Sequence, residues 1–321
     1  VIGYEAAGRV GEAIIPRFDY RGHHGCMGAT FGATGAAARL FGLTAEQTAH
    51  ALVLTATSIG GLTKAANTSI AREYHAGNAT MLAIEAVLAA KHGYTGELNV
   101  FEVDRGFCQI YGGSDGAGIV EGLGAEWDIT TDMALKLVPG GHPYHALGEA
   151  GANAAREGNI APEEVASITV SRPGMTALSG PLHPKDLIDM AHSPAYFTAA
   201  GVRDHAFGWV HASPEKINDP VIHGLIDKVR AGPEPSDNLE DYRQGASVSI
   251  ETMDGRTVSN TVFVPKGAGC LGIDWMDVDA KFLALAPNAP MSEGQIARSI
   301  ELIHGFREIS DLSEFIKVLH A

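Results

Sequence analysis

Cysteine is nearly absent. Three residues in 321, Cys26, Cys108 and Cys270, carry thiols, and none forms a Cys-x-x-Cys. That argues against a disulfide scaffold and against an iron–sulfur cluster held by this chain alone. Positive charge is short as well. Lys and Arg number 23 against 38 Asp and Glu, for a net charge of −15 with histidine neutral. Such a balance argues against a nucleic-acid binder that works by neutralising phosphates. No apolar run reaches the roughly 18–20 residues that a membrane span needs. The start, Val1-Ile2-Gly3-Tyr4-Glu5, has no basic region and no signal-peptide layout. A reduced, cytoplasmic protein without nucleic-acid or membrane partners is the expectation. In that setting the acceptor-like triplets Asn67-Thr68-Ser69 and Asn78-Ala79-Thr80 are read as chance. The chain also lacks an initiator Met, so it is read as beginning inside a longer protein.

Core-forming material is plentiful. Hydrophobic residues make up 45% and charged residues 19%, a globular balance for one large domain or two smaller ones. The first third reads helical. Gly28, Gly32 and Ala36 recur four apart, a small-residue face that lets another backbone come close. Thr44 and Gln47 form a capping box that opens a helix to about Ser58. Thr63 to Glu73 is polar, and Ala76 to Lys91 reads as a helix with Gly93 just past its end. These helices are rich in Ala and Leu and poor in charge, so burial on several sides is expected.

The middle of the chain has another texture. Residues 163–172 move into a strand in which Ile168 and Val170 alternate with polar neighbours. Residues 246–264 read as two strands joined at Asp254-Gly255, a strong hairpin signal. Helical stretches near 195–210 and 218–228 lie between them, and 232–245 is a turn-rich surface loop. The end returns to helix: Asp274 to Leu285, then a second capping box at Ser292 and Gln295, then a last helix opened at Ser310. The expected fold is mainly α: an all-helical domain, residues 1–139 and 269–321, interrupted by a smaller α/β lid domain at 140–268.

Three clusters could carry chemistry. Arg21-Gly22-His23-His24-Gly25-Cys26 precedes the small-residue helix, whose positive dipole end suits an anion. His23, His24 and Cys26 are also metal-ligand types. Adjacent histidines rarely point at one ion, however, and no further ligand follows at finger spacing. No metal is therefore expected, and loop hydrogen bonding is the plainer reading. Arg72-Glu73-Tyr74-His75 opens the next helix. Arg72 and His75 would share a face, and the arginine could clamp a carboxylate. An ordinary ion pair with Glu73 or a neighbour is the alternative. Lys136 to His145 holds a Lys, two His and a Tyr in a loop stiffened by Pro and Gly, near the proposed domain boundary. A Lys near other cations has its pKa lowered and can carry protons; a solvated surface loop is the alternative. The glycine-rich run 112–118 misses the dinucleotide fingerprint. His183, His192, His205 and His211 are scattered and carry no assigned role.

Taken in order, these segments resemble the family of 2-methylcitrate dehydratases, cis-aconitate decarboxylase and iminodisuccinate epimerase, the MmgE/PrpD family. Gly3-Tyr4-Glu5 with Arg9 is similar to its Gly-Tyr-Glu…Arg helix. Arg21-Gly22-His23 with Thr30-Phe31-Gly32 and Ala36-Ala37-Ala38 resembles its His loop and Ala-rich helix. Leu43 to Gln47, Tyr74 to Ala79, Lys136-Pro139-His145 and Gly272 to Phe282 resemble four further motifs. The resemblance implies an all-helical domain interrupted by the lid. It implies a cofactor-independent lyase or isomerase subunit that removes a proton next to a carboxylate of a small di- or tricarboxylate, by dehydration or epimerisation. His23 and Lys136 would be catalytic; Arg72, His75 and His145 would bind substrate or support the site. A non-catalytic carboxylate-binding or supporting subunit of the same fold is the alternative. The family has Lys where Arg72 stands, and the decarboxylase's lid tyrosine falls at Ala177, which weighs against decarboxylation. Family members carry a long segment before the Gly-Tyr-Glu helix. A homodimer, or a complex with a second chain that supplies this segment, is expected.

Overall fold

Two rows of small residues set the first packing contact. Helix α1 (Ile2–Ala13) carries Gly3, Ala7 and Gly11; helix α2 (His24–Leu40) carries Gly28, Gly32 and Ala36. In the computed structural model of the chain, which describes residues 1–14 and 22–320, the two rows face each other. A Cβ at Gly32 would fall 2.6 Å from the Gly3 carbonyl oxygen, and one at Gly28 would fall 3.1 Å from that of Ala7. The small-residue face does what its spacing suggested: it brings two backbones together. Arg21 of the first cluster lies outside the described residues.

The chain divides into two units, Val1–Ala134 and Leu135–Ala321. The first continues with α3 (Ala45–Ser58), α4 (Thr63–Thr68), α5 (Ala71–Lys91), α6 (Phe107–Gly112) and α7 (Asp128–Thr131). Both halves of the expected capping box form on α3: the Gln47 N–H donates to Thr44 Oγ1, and the Thr44 N–H to Gln47 Oε1. The polar stretch before Ala76 forms α4 and the first turn of α5. Helix α5 packs against α2 and α3 through Ala79, Ala83, Ala86, Val87 and Ala90. Tyr74, Met81, Ile84 and Leu88 on its other side are exposed. Burial on several sides is therefore not what this unit shows for α5, because its partners within the unit cover one face. Phe31, Phe101 and Phe107 meet edge-on or tilted with ring centroids 5.0–5.6 Å apart. Glu5 and Arg9 form a buried ion pair on α1 at 2.7 Å. The guanidinium also donates to the carbonyls of Glu121 and Glu126 at 2.7 and 2.8 Å, which ties the loop before α7 to α1.

The second unit is mixed. It contains α8 (His145–Glu157), β1 (Val165–Ser171), α9 (Leu187–Ala191), α10 (Pro194–Asp204), α11 (Pro214–Ile217), α12 (Pro220–Ile226), β2 (Val229–Ala231), β3 (Ala246–Thr252), β4 (Thr257–Val262), α13 (Trp275–Leu285), α14 (Glu293–His304) and α15 (Ser313–Leu319). One sheet forms in the order β2-β1-β3-β4. Strands β3 and β4 are the hairpin expected around Asp254-Gly255. Strand β2 runs parallel to β1, with Ile168 opposite Val229. It has three residues, too few for a period to show. Val165, Ile168 and Val170 meet Val248 and Ile250 on the buried face, and α8 packs on β3 and β4. Helix α10 packs on α8, and it stops at His205, whose φ of +54° is left-handed. Ser292 caps α14 through the second capping box. The last helix begins at Ser313 rather than Ser310. The chain is thus mainly α with one small mixed sheet. Among the described residues no helix is long and apolar enough to cross a membrane.

Candidate active site

On the first unit, the turn into α2 and the start of α5 bring three expected residues together. His23 is the residue before α2, and its backbone N–H donates to the Gly61 carbonyl at 3.3 Å. Its side chain does not cap the helix. The ring turns instead toward Cys26, with Nδ1 2.9 Å from Sγ, and toward His75, with ring centroids 6.0 Å apart. Gly61 closes this pair: a Cβ there would sit 3.3 Å from both the His23 Cβ and the His75 Nδ1, and its φ of +145° disfavours a side chain. Arg72, one turn before His75, donates through Nε to the Ala66 carbonyl at 2.9 Å and through its terminal nitrogen to Asn67 Oδ1 at 2.7 Å. Burial lowers the pKa of His23, and the nearby Arg72, His75 and His24 lower it further. His23 is therefore a neutral imidazole near pH 7, able to accept a proton.

Cys26 is the residue whose place the sequence argument undervalued. It is buried, and burial raises its thiol pKa while Arg72 opposes that rise. No ligand follows His23 and Cys26 at finger spacing because the third residue of the group, His75, comes from a separate helix. His23, Cys26 and His75 each offer a ligand atom within 4.8 Å of the other two.

On the second unit, the rigid loop after Lys136 delivers His145 to the first position of α8. Lys136 is exposed. Its charge reaches both histidines of the loop and helps to lower their pKa values. His145 Nδ1 lies 3.2 Å from His142 Nδ1, and its buried Nε2 has no hydrogen-bond partner among the described residues. The ring lies in a column of stacked rings, His145 on Phe197 on Phe207 on His211. His211 is buried and meets Asp204 Oδ2 at 3.0 Å. Asp204 also pairs with Arg203 and Lys216. His142 and His211 thus join the histidines of this unit. His142 was visible as part of the loop, but nothing in the spacing pointed to His211. A cavity of about 240 Å³ opens beside His145, lined also by Glu149, Asn153, Arg156, Phe207 and Lys266.

Burial, with help from His142 and Lys136, holds His145 down at about 4. In the unfolded chain it returns to about 6.5. Between those values the unfolded chain binds a proton that the folded one refuses. Stability is therefore expected to fall as pH drops from about 6.5 toward 4, and this contribution levels off below. Urea midpoints measured across that range should fall less steeply for His145→Gln than for the natural chain. Parallel curves would show that His145 is not buried as a neutral ring.

Sequence profiles of two domains match the chain: the MmgE/PrpD N-terminal domain over residues 1–119 and the MmgE/PrpD C-terminal domain over residues 139–303. Among curated proteins, human cis-aconitate decarboxylase is 23% identical over 99% of this chain and 67% of its own length. A cis-aconitate decarboxylase-like protein of Aspergillus oryzae is 27% identical over 83% of this chain and 59% of its own. Mouse cis-aconitate decarboxylase is 22% identical over 99% of this chain and 66% of its own. The chain spans 59–67% of the length of these relatives.

Proposed function

The chain belongs to the MmgE/PrpD family, and we propose that it serves a cofactor-independent lyase or isomerase reaction on a small di- or tricarboxylate. The reaction develops negative charge on carbon next to a carboxylate. That charge resolves by loss of water, loss of carbon dioxide or reprotonation. The relatives are named as cis-aconitate decarboxylases or decarboxylase-like, so decarboxylation takes its place beside dehydration and epimerisation despite Ala177. The observation that carries the reading is the meeting of His23, His75 and the charge of Arg72 on one unit of a net-acidic chain. The reaction needs a positive charge beside a proton carrier, and an acidic protein must place that charge locally. In this reading the neutral His23 moves the proton, and the Lys136 ammonium offsets the charge that develops. Arg72, His75 and His145 hold carboxylates. The lid role of residues 140–268 belongs to the same proposal.

The test is solvent exchange. The full chain is incubated in deuterated water with a panel of small di- and tricarboxylates, and proton NMR follows the C–H next to each carboxylate. Loss of that signal with at least one substrate is expected. Binding of carboxylates without exchange or turnover across the panel would replace this reading with the non-catalytic one.

A further inference from the structure

We propose that His23, Cys26 and His75 form a binding site for one soft divalent metal ion of the zinc class, with the fourth position open to a small ligand or water. Three separate features build it. The residue before α2 supplies one imidazole, the first turn of α2 supplies a buried sulfur, and the first turn of α5 supplies the second imidazole. Their ligand atoms lie within 4.8 Å of one another, and one pair, His23 Nδ1 and Cys26 Sγ, is already 2.9 Å apart. In a tetrahedron with zinc–sulfur and zinc–nitrogen bonds of ordinary length, donor atoms stand about 3.4–3.6 Å apart. The observed spacing brackets that value, so small ring rotations complete the site. Two imidazoles and one thiolate favour zinc or cobalt over magnesium or calcium, which want oxygen. Three protein ligands with an open position is also the arrangement of metal sites that exchange ligands.

Binding takes the Cys26 proton into solvent and puts the metal in the place of that hydrogen bond. It also withdraws a ring nitrogen of His23. A loaded chain would therefore lose the proton-transfer role of His23, and the site would make the activity sensitive to free zinc. Metal binding itself does not rest on that role.

Cobalt(II) is the probe, added to the full 321-residue chain after chelator treatment under reducing conditions. One equivalent is expected to give tetrahedral ligand-field bands in the visible and a thiolate-to-cobalt charge-transfer band in the near ultraviolet. Zinc should bleach both. Cys26→Ser should abolish the charge-transfer band. His75→Gln should weaken binding by at least the roughly 10–100-fold that loss of a mere outer-sphere partner costs. Cys270→Ser, which alters an exposed thiol elsewhere, should change neither. Circular dichroism checks that each variant folds, and His75→Gln carries the test if Cys26→Ser does not. Absence of a charge-transfer band in the natural chain would overturn the proposal. So would a band that survives Cys26→Ser and disappears in Cys270→Ser. Solvent exchange into carboxylates, measured on the chelated chain, reads the proposed reaction separately, so the two ideas can fail independently.

Discussion

Alanine in place of His23 or Lys136 is expected to lower the turnover of a competent carboxylate by about 10²–10⁴-fold each, the range for losing a positioned proton carrier or a charge-stabilising group. The pH profile separates the two residues. Burial and three neighbouring cationic or ionisable groups hold the pKa of His23 below its ordinary value. A base of that kind stays unprotonated as pH falls through about 6.5. Turnover of the natural chain should hold through that point and decline only at lower pH. That limb should vanish in His23→Ala and persist in Lys136→Ala. Arg72→Lys should retain most activity, since the charge survives, whereas Arg72→Ala should raise KM more than it lowers kcat. Full activity in both His23→Ala and Lys136→Ala would remove these residues from the chemistry and leave the fold as the only thing the resemblance explains.

What could be read from the sequence was local chemistry. Thr44 with Gln47 and Ser292 with Gln295 name helix starts because a side chain and a backbone N–H three residues apart satisfy each other wherever the rest of the chain goes. Asp254-Gly255 names a turn because its conformation suits few other residues, and Gly255 indeed has a φ of +85°. The start of α5 was only partly legible: Arg72 to His75 open the helix as their spacing suggested, but the contacts of Arg72 with Ala66 and Asn67 and of His75 with His23 appear only in the fold. The site divides along that line too. His142 and His145 lie three apart at a helix start, so their meeting was written in the sequence. Cys26 and His75 meet only after α2 and α5 have packed, and the stacked column that ends at His211 depends on α10 lying against α8. No spacing rule reaches across such distances.

Gly201→Ala is expected to be among the most damaging small substitutions in the chain, and Gly77→Ala a mildly stabilising one. On intrinsic propensity the two changes are the same, since Ala improves on Gly inside a helix by about 0.5–1 kcal/mol. What differs is the space. Around Gly77, on the exposed side of α5, a new Cβ meets nothing within 4 Å. At Gly201 it would fall 2.2 Å from the Gly148 carbonyl oxygen and 3.2 Å from the Ala152 nitrogen. Those are backbone atoms of α8, which cannot rotate away as a side-chain tip can. Next to them, a Cβ at Gly151 would lie 3.0 Å from the Thr198 oxygen, so the helices already touch along the crossing. The surrounding Leu147, Ala150, Ala199, Ala200 and Val202 are fully buried, and no looser layer can take up the shift. Helix α10 must therefore back away from α8, at a cost of about 1–3 kcal/mol or more, which outweighs the propensity gain. The shift also reaches the candidate site, because α8 begins at His145 and α10 carries the Phe197 on which that ring stacks. Gly201→Ala should thus lower the urea midpoint and alter the response of stability to acid set by His145, while Gly77→Ala raises the midpoint and leaves that response alone. If Gly201→Ala proved as stable as the natural chain, α8 and α10 would not cross at these glycines, and the placement of His145 would fall with them.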